Sequence, residues 1–223
     1  MARHLFYLNL FEKTFYFCTM NFSSKLLESA VDAFSSLPGI GKKTALRLAL
    51  HTLKQGPAFA EEFTGAVLTM SKNINNCKNC HNLSDETICS ICQDKKRDDS
   101  VICVVESIRD VMAIEDTNQF KGKYHILGGT ISPLEGIGPE MLNIDSLLER
   151  AKNPETKEVI MAISPTIEGE TTIYFISKQL KKLDIKVSTI ARGVSFGGNL
   201  EYADEMTLGR SIVARIPYQI KSE

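Results

Sequence analysis

The chain has 223 residues, 43% of them hydrophobic, enough to bury a real core in one to three compact units. A formal net charge of −1 excludes a generally basic nucleic-acid binder, so any DNA contact must come from a local basic patch. No apolar stretch approaches the roughly 18–20 residues of a membrane span, and the use of the 6 cysteines suits a reducing compartment.

Residues 1–22 read as a separate N-terminal extension. Leu5–Phe17 is rich in aromatics and leucine, broken by Glu12 and Lys13, and no small-x-small cleavage site follows as a secretory signal requires. Two readings stay open, an added arm or an upstream start ahead of Met20. A helical module is expected over 23–76. Ser23 or Ser24 caps a helix with apolar residues at Leu26, Leu27, Ala30, Val31, Ala33 and Phe34, which ends before Leu37. Further helices are expected from about Lys42 to Leu53 and from Ala58 to about Asn73.

Between the first two lies Leu37-Pro38-Gly39-Ile40-Gly41-Lys42-Lys43, which reads as a helix-hairpin-helix. Gly39 and Gly41 permit a tight hairpin and close approach of a ligand to the backbone. The N–H groups that open the second helix form an anion site. Lys43 and Arg47, at i and i+4, share a helix face beside it, and Lys42, His51 and Lys54 add positive charge. Such a site holds DNA by its phosphates without reading sequence. The alternative is an ordinary Pro-Gly connector with a solvated basic face.

Residues 77–92 carry Cys77-Lys78-Asn79-Cys80 and Cys89-Ser90-Ile91-Cys92. Two knuckles so close together bring four thiolates around one ion, and Zn²⁺ with four thiolates has no open position for a catalytic water. The site therefore reads as one structural zinc per chain, which holds together a loop too short to bury a core. A thioredoxin-like redox pair needs one knuckle at a helix start, and paired disulfides need an oxidising compartment. His81 is left over as an exposed neighbour. Cys18 and Cys103 have no evident partner, and Cys103 reads as a small buried hydrophobe.

From residue 101 to 196 the pattern becomes α/β. Strands are expected at Val101–Val105, Tyr124–Leu127, Val159–Ile163 and Lys186–Ile190. Helices are expected at Ile108–Asp116, Ile144–Ala151 and Glu170–Leu183. Such alternation implies a mostly parallel sheet covered on both faces, followed by a short C-terminal segment over 197–223. Glu106 ends the first strand, at the edge where ligands of parallel sheets bind, and Glu168 and Glu170 follow a later one.

This layout resembles the Toprim domain of primases, topoisomerases and some nucleases. Catalytic members hold Mg²⁺ with a Glu after the first strand and an Asp-x-Asp after a later one. Here Glu168-Gly169-Glu170 takes the Asp-x-Asp position, and no tyrosine stands out as a nucleophile. Three readings of these glutamates stay open: fixing loops or subunit contacts, weak Mg²⁺ binding without turnover, or catalysis.

Taken whole, Ser23 onward resembles the RecR family of bacterial recombination mediators. The carriers are the hairpin, the four cysteines, Gly128–Pro139, Pro165–Glu170, Ala191-Arg192-Gly193 and Gly197–Tyr202. Ser195 stands where that pattern has proline, and residues 1–20 match nothing in it. The resemblance implies a non-catalytic repair factor that acts with RecO and RecF to load RecA onto single-stranded DNA coated by its binding protein. It also implies a homo-oligomer, commonly a tetrameric ring with Lys43 and Arg47 facing DNA in its bore. The implied location is the cytoplasm, at the nucleoid during repair.

Overall fold

A computed structural model describes residues 22–195 and 197–217. The readings made for residues 1–21, including Cys18, lie outside the described residues. The chain divides into two compact units between Lys72 and Asn73.

The first unit holds α1 (Lys25–Ser35), α2 (Lys42–Gln55) and α3 (Pro57–Asn73). Ser24 caps α1, its hydroxyl accepting from the Leu27 amide. Val31, Ala45 and Ala49 are buried between α1 and α2, with Leu27, Phe34, Ile40 and Leu46 packed around them. Small residues at the centre let the two helices approach closely. Phe34 stacks on Phe63 of α3 at 6.4 Å between ring centres. No residue of α3 is buried, and Phe59, Phe63, Val67, Leu68 and Met70 all stand exposed.

In the second unit β1 (Asn75–Asn76) and β2 (Leu83–Ser84) form a small antiparallel hairpin, followed by the single turn α4 (Ser90–Gln93). Then come β3 (Asp98–Val105), α5 (Ile108–Asp116), β4 (Gly122–Ile126), α6 (Ile144–Ala151), β5 (Glu158–Ala162), α7 (Ile167–Leu180), β6 (Lys186–Thr189) and α8 (Glu205–Val213). The sheet order is β4-β3-β5-β6, and every pairing is parallel. Along β3 the pleat sends Ile102 and Val104 to one core and Cys103 and Val105 to the other. The first core includes Leu147 of α6 and Ile176 and Leu180 of α7; the second includes Val111 of α5. The expected α/β layer order along the chain is thus observed.

The third long helix of this unit departs from expectation. It starts at Ile167 rather than Glu170, because Thr166 caps it by accepting from the Gly169 amide at 3.0 Å. Glu168 and Glu170 therefore stand on its first turn. Gly169 is required there: a Cβ would lie 2.0 Å from the Ser164 carbonyl oxygen. The helix also ends early, at Leu180, and a 3-10 turn runs to Asp184 in the left-handed region at φ 56°. The C-terminal segment contains α8, capped by Asp204 accepting from the Thr207 amide.

A polar cluster ties the start of β3 to α5 and β4. Arg97 pairs with Glu115, whose Oε1 also accepts from the Tyr124 hydroxyl at 2.7 Å, and Arg97 Nη1 donates to the Gly122 carbonyl at 3.2 Å. Arg97, first among the causes, and Tyr124 hold the Glu115 carboxyl below its usual range. A lowered folded pKa contributes stability above the unfolded value of about 4.3, and that stability is lost as pH falls through the folded value. Glu115→Gln is expected to cost about 2 kcal/mol at neutral pH. In urea titrations of the two proteins the gap should close in acid; an equal gap at low pH would show that charge is not what the pair contributes.

Candidate nucleic-acid interface, metal centre and acidic edge

The hairpin in the first unit is built on Gly39, whose φ of 80° is open to glycine at no steric cost. The Ile40 amide closes the turn on the Leu37 carbonyl at 3.2 Å. Gly41 is the N-cap of α2 and brings no side-chain oxygen to the first-turn amides, which stay open to an outside acceptor. Lys43 and Arg47 are exposed on α2 and take part in no ion pair among the described residues. Lys42, expected beside them, pairs instead with Asp32 of α1. Arg97 is likewise engaged: its side chain is 12% exposed and turned onto Glu115.

The four cysteines come together in the second unit. Cys77 follows β1, Cys80 lies within a tight turn closed by the His81 amide on the Cys77 carbonyl, Cys89 is the N-cap of α4 and Cys92 lies within it. Their sulfurs lie within 4.8 Å of one another, with Cys80 and Cys89 at 3.5 Å. Zinc–sulfur bonds of about 2.3 Å in a tetrahedron give sulfur–sulfur edges of about 3.8 Å, so one zinc ion fits. A hydrogen bond from Cys80, with a contribution from Arg150, holds the Cys92 thiol down at about 6. Zinc here would supply cross-linking of the loop, with Cys77, Cys80, Cys89 and Cys92 as its ligands.

The knuckle is fastened to the sheet by residues that sequence reasoning passed over. Lys123, the second residue of β4 and only 3% exposed, points its ammonium at the carbonyls of Ile91, Cys92 and Asp94 at 3.0, 3.1 and 2.7 Å. The Ile126 amide donates to the Cys80 carbonyl at 2.9 Å, and Arg150 Nη1 donates to the Tyr124 carbonyl at 2.6 Å. The outer edge of β4 is thereby covered, which explains why all five of its residues are buried although it ends the sheet. Lys123 stands just before the strand expected at Tyr124–Leu127, and nothing local in the sequence marks its role.

His81 is not an exposed neighbour. It sits half-buried in the left-handed region at φ 62°, its Nε2 2.8 Å from the Ser146 hydroxyl and its ring edge-on to His125 at 5.2 Å. His125 is buried, bonds the Asn143 carbonyl through Nε2 at 2.8 Å, and is kept neutral by burial, which pushes it down to about 4. Cys103 is a buried thiol pushed up to about 12 by desolvation, hence unreactive.

At the carboxyl edge of the sheet Glu106 Oε1 accepts from the Ser164 amide at 2.6 Å, Glu170 pairs with Arg192, and Glu168 makes no side-chain hydrogen bond among the described residues. The three carboxylates are not gathered around a common point. Among the described residues the four cysteines form the one group of three or more His, Cys, Asp or Glu close enough to share an ion. Arg192, quoted above only within a motif, had been given no role.

Metal analysis and unfolding of purified variants check the centre. The native chain is expected to carry about one zinc, and Cys77→Ser well under one. Lys123→Met is expected to keep its zinc yet unfold about 1–3 kcal/mol more easily, three carbonyls having lost their donor. Native protein without zinc would remove the metal assignment, and an unchanged Lys123→Met would remove the fastening.

Four family descriptions match successive parts of the chain: the RecR helix-hairpin-helix over residues 27–70, the RecR four-cysteine zinc finger domain over 74–94, the Toprim domain over 100–191 and the RecR C-terminal region over 193–216. The curated Recombination protein RecR of Cytophaga hutchinsonii is 57% identical over 205 residues, 92% of this chain and 100% of that protein. The proteins of the same name from Flavobacterium johnsoniae and Phocaeicola vulgatus are each 56% identical, over 90% and 87% of this chain and 97% and 95% of their own lengths. With helix-hairpin-helix, cysteine knuckle and Toprim sheet in this order, the chain belongs to the RecR family of recombination proteins.

Proposed function

We propose that this protein is a recombination mediator that grips DNA by its phosphates through the hairpin and the start of α2, and that it performs no chemistry on the strand. The observation that carries the reading is the combination of open first-turn amides behind Gly41 with exposed Lys43 and Arg47 one turn apart, neither in an ion pair among the described residues. Gly39 and Gly41 let the phosphate approach, and Lys42, engaged with Asp32, contributes at longer range. Base edges play no part, so binding is independent of sequence.

The family resemblance extends this to a role with RecO and RecF in loading RecA onto single strands covered by their binding protein, at the nucleoid. It also supports a homo-oligomeric ring, commonly a tetramer, in which a few cations per subunit concentrate in one bore despite a net charge of −1. The exposed apolar residues of α3 favour a second copy of the chain as its cover.

The competing reading is a Mg²⁺-dependent Toprim enzyme that cuts or joins DNA. Metal-assisted phosphoryl chemistry needs carboxylates placed to within about 0.5 Å. Against it stand the Ser164 amide on Glu106 and Arg192 on Glu170, which occupy two of the three candidate ligands.

Lys43→Glu and Arg47→Glu are expected to keep fold and zinc. Each should weaken binding similarly on unrelated DNA sequences and flatten the log–log salt dependence by roughly 0.7–0.9 per contacted site. Binding as tight as the parent's would mean that the basic face is merely solvated. Labelled DNA incubated with the parent and Mg²⁺ or Mn²⁺ should yield no new products; cleavage or joining abolished by Glu106→Gln would establish the enzyme.

A further inference from the structure

The first unit carries an apolar groove of about 440 Å³. It is lined by Leu27, Ala30 and Phe34 of α1, Ala49 and Leu53 of α2 and Ala60 of α3, and no charged residue takes part. Its two hydroxyls are already engaged: Ser24 accepts from the Leu27 amide, and Thr52 donates to the Leu48 carbonyl at 3.0 Å. The groove therefore suits apolar side chains and offers nothing to a polar ligand. Leu26 and Leu53, both part of the lining, stand 85% and 73% exposed among the described residues. Lys43 and Arg47 do not line it, and neither do Val67, Leu68 and Met70 further along α3. The groove is thus separate from the DNA-facing residues proposed above and from the far end of α3.

The chain itself supplies a matching segment. Between Leu5 and Phe17 every residue except Asn9, Glu12, Lys13 and Thr14 is leucine, phenylalanine or tyrosine. This segment joins the described structure at Phe22, which packs on the core between α1 and α2, and Ser24 already lines the groove. We infer that Leu5–Phe17 is an arm of the folded protein whose aromatic side chains occupy the groove of their own chain. Glu12 and Lys13 would meet no charged partner in the lining, so the anchoring falls to Phe15, Tyr16 and Phe17, nearest the point of attachment. Only Cys18, Thr19, Met20 and Asn21 separate Phe17 from Phe22, and each residue spans at most about 3.6 Å. So short a tether holds the arm at an effective concentration on the order of millimolar. At about micromolar protein the tethered arm therefore outcompetes the arm of a second copy by about a thousandfold. Of the two readings left open for residues 1–22, this selects the added arm over the upstream start.

Chymotrypsin, which cuts after aromatic residues, tests this on the full-length, zinc-loaded protein, with mass spectrometry reading the cuts at Phe15, Tyr16 and Phe17. Cleavage requires the arm to leave the groove, so its rate follows the unseated fraction. Leu26→Asp and Leu53→Asp each place a carboxylate in the lining at an exposed position, where little packing is lost. If the arm is seated about nine-tenths of the time, each variant should be cut there about tenfold faster than the parent, with zinc content unchanged. The parent's rate should hold on about hundredfold dilution, because the occupant is tethered. Equal rates in parent and both variants overturn the inference. A parent rate that climbs on dilution to the variants' level also overturns it and makes a second copy the occupant. The chain contains no tryptophan, so Phe15→Trp gives a check that needs neither protease nor groove variant. Its emission should lie to the blue of that from a free peptide of residues 1–21 with the same substitution, and coincident spectra overturn the inference. No readout involves DNA, so failure here leaves the hairpin assignment untouched.

Discussion

An edge strand of a parallel sheet presents a row of unpaired backbone groups, and the way β4 escapes that condition organises the second unit. The cysteine knuckle lies along it, bonded through the Cys80 carbonyl to the Ile126 amide and through three carbonyls to Lys123. A loop this short has no core of its own, so its shape depends on the cross-link that four thiolates give a zinc ion. The cover over β4 therefore depends on that cross-link. Burying Lys123 would be costly without partners, and the carbonyls of Ile91, Cys92 and Asp94 together with the Asp99 carboxylate at 3.5 Å supply them.

Charge is handled by the same economy at the two other sites. On α2 the first-turn amides are left without a side-chain cap, and among the described residues Lys43 and Arg47 have no acidic partner. At the carboxyl edge of the sheet the opposite holds, since Glu106 and Glu170 are already served by Ser164 and Arg192. The first site keeps its amides and exposed cations open, whereas at the second Glu106 and Glu170 already have partners within the chain.

The parts of this arrangement that were legible in the sequence are those written in local spacing. Paired Cys-x-x-Cys, the Pro-Gly-Ile-Gly turn before a helix and the alternation of apolar strands with amphipathic helices each depend on neighbours within a few residues. What escaped depends on partners far along the chain. The start of α7 was missed because Gly169 reads as a loop residue until the Ser164 carbonyl is seen pressing on it. Lys42 was read as added positive charge beside the hairpin, yet Asp32 claims it, and Arg192 had no role until Glu170 was placed beside it. His81 read as exposed because Ser146, 65 residues away, could not be placed beside it.

The central claim is that the cysteine knuckle and the sheet edge form one cooperative unit. Hydrogen–deuterium exchange of the zinc-loaded protein, before and after removal of the metal with a chelator, tests it most directly. The account predicts that amides of Gly122–Ile126 lose protection together with those of 77–92, while β5 at the sheet's centre keeps its own. Amides of β4 that stay protected once the knuckle has opened would contradict it.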